Sequence, residues 1–126
     1  MIRLRTLVTG SVVALLGLIG SSATTAASSE GQYKDLLIRV LTANARGECP
    51  GDLMSVLLQD ACERQMPNMK PQFDRLGKLQ SARYRGIQQS QGGPAEVYRV
   101  SFENGEMTWM INTGPDGKIL VLFSPG

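Results

Sequence analysis

From Ala95 to Phe123 the chain alternates apolar and polar positions in runs separated by turn residues. In Ala95–Phe102, Tyr98, Val100 and Phe102 share one face, and Val97, Arg99 and Ser101 the other, the period of a half-buried strand. Met107–Asn112 alternates again, with Met107, Trp109 and Ile111 opposite Thr108, Met110 and Asn112. Between these runs stands Glu103-Asn104-Gly105-Glu106, whose Asn-Gly pair predicts a tight hairpin with Asn104 at positive φ. Pro115-Asp116-Gly117 predicts a second turn. Ile119–Phe123 is apolar at every position and reads as a last, buried strand. Upstream, Lys78–Gln88 predicts a first strand carrying Leu79, Tyr84 and Ile87, joined to Ala95–Phe102 by the polar loop Gln88–Pro94.

Before Lys78 the period changes to that of helices. Tyr33, Leu36, Leu37, Val40, Leu41 and Asn44 form one stripe, opened by the capping box Ser29-Glu30-Gly31-Gln32 and stopped near Arg46-Gly47. Leu53–Gln65 predicts a second helix with Asp52 as N-cap. Pro67 interrupts it, and Pro71–Leu76 predicts a short third helix, with Pro71 in its first turn and Gly77 as its stop. Segregated helices followed by sequential strands specify an α+β domain, N-terminal helices packed on a four-stranded antiparallel meander.

The first residues fall outside this scheme. Arg3 and Arg5 precede an apolar run, Leu7–Ile19, which is shorter than the roughly 20 residues of a spanning helix. Small residues follow, so residues 1–27 read as a secretory signal peptide cleaved within residues 26–28, leaving one domain over 28–126. An uncleaved membrane anchor is the alternative. A cleaved product is expected in the periplasm or outside the cell, without a membrane span. Arg3 and Arg5 account for the excess of 13 basic over 11 acidic residues. The mature domain is then neutral, and its densest basic cluster is Arg83-Tyr84-Arg85, which gives no basic stripe for nucleic acid.

The strand and turn motifs carry a resemblance. Leu76-Gly77-Lys78-Leu79, Arg83-Tyr84-Arg85-Gly86, Tyr98–Gly105, Trp109 and Gly114–Ile119 together resemble the small cystatin-like/NTF2-like domains of exported bacterial proteins. Such domains often follow secreted serine hydrolases of the β-lactamase type. The resemblance covers Leu53–Phe123 and implies a curved antiparallel sheet around a helix, without implying an activity. No Ser-x-x-Lys motif occurs in the chain. Gln88–Gly92 also resembles the Gln-x-Val-x-Gly loop of cystatin inhibitors, but lacks the Val.

The chemistry on offer is narrow. Histidine is absent, which removes the usual neutral-pH base and the commonest metal ligand. No cofactor or metal is expected, and no catalytic residue is assigned. Tyr84, Glu96, Tyr98 and Trp109 are the candidates to line a pocket on the concave face, with Glu96 and Tyr98 on one face at i, i+2. A carboxylate–tyrosine pair there suits proton transfer in an isomerisation. The other reading makes Tyr98 and Trp109 core residues and leaves Glu96 at a strand end in water. Cys49 and Cys62, the only cysteines, are a candidate disulfide for an exported protein. A helix running continuously from Asp52 would hold them too far apart, so the bond needs that helix to start late or break early. Otherwise Cys62 packs in the core and Cys49 is a loop thiol. The favoured function is a non-catalytic binding or accessory module for a protein or envelope partner. The alternative is a small-molecule binder or isomerase, and self-association is compatible with either.

Overall fold

The computed structural model describes residues 31–126; the expected signal peptide and the first half of the expected capping box, Ser29-Glu30, lie outside them. Two helices, α1 (Lys34–Ala45) and α2 (Val56–Leu76), precede four strands: β1 (Leu79–Ser90), β2 (Gly93–Phe102), β3 (Gly105–Thr113) and β4 (Ile119–Phe123). The strands pair antiparallel in the order β1-β2-β3-β4, the expected α+β meander. The helices cover one face. Leu37, Val40 and Leu41 of α1 are buried with Tyr98, Val100, Phe102, Trp109 and Ile111 of the sheet.

The separate second and third helices predicted from the prolines are one helix, with Pro67 and Pro71 inside it. Each proline removes a backbone donor and costs about 3 kcal/mol in a helix interior. The compensation lies underneath. Cys62, Met66, Met69, Phe73 and Leu76 repeat at i, i+4, i+7, i+11 and i+14, and all join the core. Both prolines are on the exposed side. Phe73 stacks on Trp109 (centroids 6.3 Å, planes 13° apart) and meets Phe102 edge-on at 6.2 Å.

The helix also starts late. Ser55, not Asp52, is the N-cap, its hydroxyl accepting from Leu58 N. Residues 50–54 make a turn in which Leu53 N and Met54 N donate to the Pro50 carbonyl. Gln59 Nε2 donates to the Cys49 carbonyl. This folded-back loop puts the Cα atoms of Cys49 and Cys62 6.0 Å apart, and the disulfide is formed.

Four strand features differ from expectation. The polar loop before β2 is strand to its tip: Gln89 faces Pro94 and Ser90 faces Gly93, leaving Gln91-Gly92 as the turn. A bulge between Tyr84 and Gly86, where Gly86 has φ +123°, bends β1. In the β2–β3 hairpin, no residue but glycine has positive φ among those described, so Asn104 does not adopt the left-handed geometry of a type I′ turn. Its role is to tie the hairpin to α2: Asn104 N donates to the Leu76 carbonyl and Nδ2 to the Arg75 carbonyl. Finally, β4 is an edge strand, and Leu120 and Phe123 are exposed rather than buried.

Candidate functional site

β2 carries Glu96 and Tyr98 on its helix-facing side, and the register places Tyr84 opposite Tyr98 on β1. The Tyr84 and Tyr98 rings lie 5.6 Å apart. Glu96 is 7% exposed, so its carboxylate needs partners. It finds them at the start of α1. Gln32 N donates to both oxygens at 3.0 Å, and Tyr33 N donates to Oε1 at 3.0 Å. The Tyr98 hydroxyl donates to Oε1 at 2.6 Å and accepts from Tyr33 N at 3.2 Å. Tyr33, the N-cap of α1, has no capping side chain of its own. Glu96 therefore serves as a helix cap delivered from the sheet, a negative group at the positive end of the helix dipole.

Two further features lock this corner. Gly31, at φ +80°, lies so close that a β-carbon there would strike the Tyr98 hydroxyl and sit 2.7 Å from the Tyr84 ring. The Tyr33 hydroxyl accepts from Thr113 Oγ1 at the end of β3. Burial, followed by the hydrogen bond to Glu96, pushes the Tyr98 phenol well above the ordinary tyrosine range.

Trp109 is the register partner of Tyr98 on β3, yet it serves a different part of the molecule. It lines a cleft of about 280 Å³ between the second half of α2 and the β3–β4 end, with Met69, Phe73, Met107, Leu122 and Phe123. A smaller space of about 80 Å³ lies on its other side, against Met54, Leu58 and Cys62. A third cavity, about 570 Å³, runs along β4 from the β1–β2 turn (Gln88–Gly92) to Met110, Leu120 and Phe123. Tyr84, Glu96 and Tyr98 line none of these three. The four sequence-derived pocket candidates are thus split: three build the helix clamp and one borders the cleft under α2. Trp109 Nε1 is buried without a hydrogen-bond partner, as is Asn112 Oδ1, whereas Asn112 Nδ2 holds the β1–β2 turn through the Gly92 and Pro94 carbonyls.

Sequence reasoning missed the β4 region as a surface. Ser55 N donates to the Ile119 carbonyl and Ile119 N to the Leu53 carbonyl, setting the first turn of α2 beside the start of β4. Val56 and Leu57 are 80% and 84% exposed there, and Phe123 is 55% exposed. By sequence spacing Val56 and Leu57 fall on one stripe with Leu53, Asp60 and Ala61, but α2 is turned by the longer stripe of Cys62, Met66 and Met69, which leaves both facing outwards.

Among the described residues no group of His, Cys, Asp and Glu is arranged to hold a metal, and no helix is long and apolar enough to cross a membrane. Comparison with protein-family models, curated proteins and solved structures finds no match to this chain.

Proposed function

We propose that this protein is an exported, non-catalytic binding module that docks a protein partner on the surface formed by the first turn of α2 and by β4. The observation that carries the reading is the exposure of Val56, Leu57, Leu120 and Phe123 around one strand edge. Scattered apolar residues are ordinary on a surface, but Leu120 and Phe123 border a cavity, and the bonds of Leu53 and Ser55 to Ile119 bring the first turn of α2 beside the start of the same strand. The competing isomerase reading needs Glu96 open to a substrate. Its carboxylate instead takes two backbone N–H groups and a phenol, and borders none of the three cavities.

Export is proposed on the basic, short apolar N-terminal sequence and supported by the Cys49–Cys62 disulfide, a bond favoured in the periplasm or outside the cell. The order of helices and meander supports the cystatin-like/NTF2-like resemblance in the same sense.

The test is site-specific photo-crosslinking in expressing cells, with a benzoyl-phenylalanine probe at position 57, 123 or, as control, the exposed Arg39 of α1. A discrete heavier adduct from positions 57 and 123, absent from 39, is expected. No adduct at 57 or 123, or the same adducts at all three positions, overturns the docking surface.

A further inference from the structure

The structure of the β4 edge specifies how such a partner would bind. Thr108 N donates to the Gly126 carbonyl, so the even-numbered residues of β3 direct their backbone groups towards β4. Met110 and Asn112 share that parity and face Phe123 and Val121. Val121 and Phe123 therefore spend their N–H and C=O groups on β3, and those of Leu122 point to the open edge. At Ile119 the corresponding outward groups are taken by Leu53 and Ser55. Among the described residues, no hydrogen bond from a loop or a helix end reaches the backbone of Leu122.

Cavities flank this edge on both sides of the sheet. On the helix side lies the 280 Å³ cleft; the 570 Å³ cavity reaches Met110 on the other side and continues round the edge to Leu58 of α2, and Leu122 and Phe123 border both. Successive residues of an added strand point alternately to the two faces, so one would enter each cavity. Neither lining contains an ionisable side chain, and Ile119–Phe123 contains no charge that would repel an incoming strand.

We propose that β4 accepts an extended, uncharged segment of another protein as a fifth strand, paired to the backbone of Leu122, with adjacent apolar side chains of the segment seated in the two flanking cavities. This is strand addition: main-chain bonds supply affinity and alternating pockets supply selectivity. The inference rests on the docking surface above and gives it a geometry.

The probe is a blocked peptide, acetyl-Thr-Ser-Leu-Phe-Thr-Ser-amide, titrated into the full chain. Trp109, the sole tryptophan, borders the helix-side cavity and reports occupancy by its fluorescence. Saturable binding below about 1 mM is expected. Methylating the nitrogen of the peptide's Leu or of its Phe should have unequal effects, because only one of two successive amides faces β4. One methylation should weaken binding about fivefold or more, and the other should be tolerated. Leu122→Pro removes the outward N–H without touching a bond to β3, and should weaken the unmodified peptide similarly. Leu122→Met changes the same side chain but keeps the N–H, and should weaken binding less than Leu122→Pro; this separates lost hydrogen bonding from lost packing.

Equal effects of the two methylations, or no saturable binding, overturn strand addition. So does a sedimenting dimer dissociated by Leu122→Pro, since the edge would then belong to a second copy of the chain. Crosslinks at positions 57 and 123 alongside a failed peptide test would leave the docking surface standing and remove only its geometry.

Discussion

Replacing Glu96 by glutamine isolates the clamp that joins the sheet to α1. Oε1 accepts from Gln32 N, Tyr33 N and the Tyr98 hydroxyl, while Oε2 accepts only from Gln32 N. A glutamine can keep its oxygen at the Oε1 position. Its NH₂ group then confronts the Gln32 N–H, donor against donor. The substitution also removes the negative charge from the helix N-terminus, worth about 0.3–1 kcal/mol at the surface and up to about 2 when partly buried. The bond from Gln32 N to Oε2 is lost as well, which adds about 1 kcal/mol. Together these give a loss of about 2 kcal/mol. Glu96→Ala should cost about 4 kcal/mol, because two backbone donors and a buried phenol lose their acceptor at once. Urea denaturation of the purified protein, fitted with a common slope, measures both losses, and thermal melting should fall by about 8–16 °C for the glutamine variant. Native-state hydrogen exchange supplies the local readout: the amides of Gln32 and Tyr33 should lose protection in Glu96→Gln before the strand amides do. A glutamine variant within about 0.5 kcal/mol of the parent, with those amides still protected, would refute the capping argument.

Four further outcomes follow from the same geometry. Replacing Cys49 and Cys62 together by serine should cost about 3 kcal/mol by the chain-entropy model for a sequence separation of 13, read from the shift in denaturation midpoint under equal conditions. Tyr98→Phe should flatten the alkaline loss of stability. The folded phenol titrates above the unfolded value near 10, so its contribution is complete below pH about 10 and is lost as pH rises beyond it, by up to about 1.4 kcal/mol per unit; a pH series of urea titrations tests this. Asn112→Val should destabilise more than Asn104→Val, since Asn112 is buried and donates to two carbonyls whereas Asn104 is exposed and needs no positive φ; equal midpoints would contradict this ordering. Pro71→Ala should stabilise by about 2 kcal/mol, the helix-interior cost of proline less the entropy it removes from the unfolded chain, and a lower melting temperature would show that the proline is needed in the helix.

The meander was legible because its information is local. Alternation in Ala95–Phe102 and Met107–Asn112 fixes both which side chains face inwards and which strands neighbour each other, and the structure keeps the expected inner face of Tyr98, Val100, Phe102, Trp109 and Ile111. The errors occur where distant partners outweigh local rules. Pro67 and Pro71 break an isolated helix, but the stripe from Cys62 to Leu76 keeps its spacing across them and packing holds α2 together. Asn104-Gly105 carries the strongest short-range hairpin signal, yet the backbone of Asn104 is directed by its bond to Leu76, 28 positions earlier. Glu96 and Tyr98 were rightly placed on one face. Nothing local to β2, however, indicates that the face would meet the N–H groups of Gln32 and Tyr33, since that contact spans more than 60 positions.

The edge of β4 illustrates why an all-apolar strand is ambiguous in sequence. Ile119–Phe123 has no polar positions to distinguish its faces, so burial between layers is the natural expectation. The fold supplies too little to cover it. The loop before α2 reaches only Ile119, through Leu53 and Ser55, and Ser55 then caps the helix that leads the chain onto the sheet's face. The disulfide fixes that departure by holding Cys62, in the second turn of α2, to the loop at Cys49. From Leu120 onwards the strand keeps its apolar composition but, among the described residues, has no strand on its outer side. Exported domains that avoid edge-to-edge association place lysines, prolines or inward charges on such strands. Here the nearest positions are Lys118, whose amine donates to the Gly51 carbonyl, and Pro125, beyond the strand. Neither blocks Leu122. An edge left both apolar and unguarded would be a liability in a protein that bound nothing there, and protection of Leu122's amide on partner binding is the direct consequence of a strand that covers it.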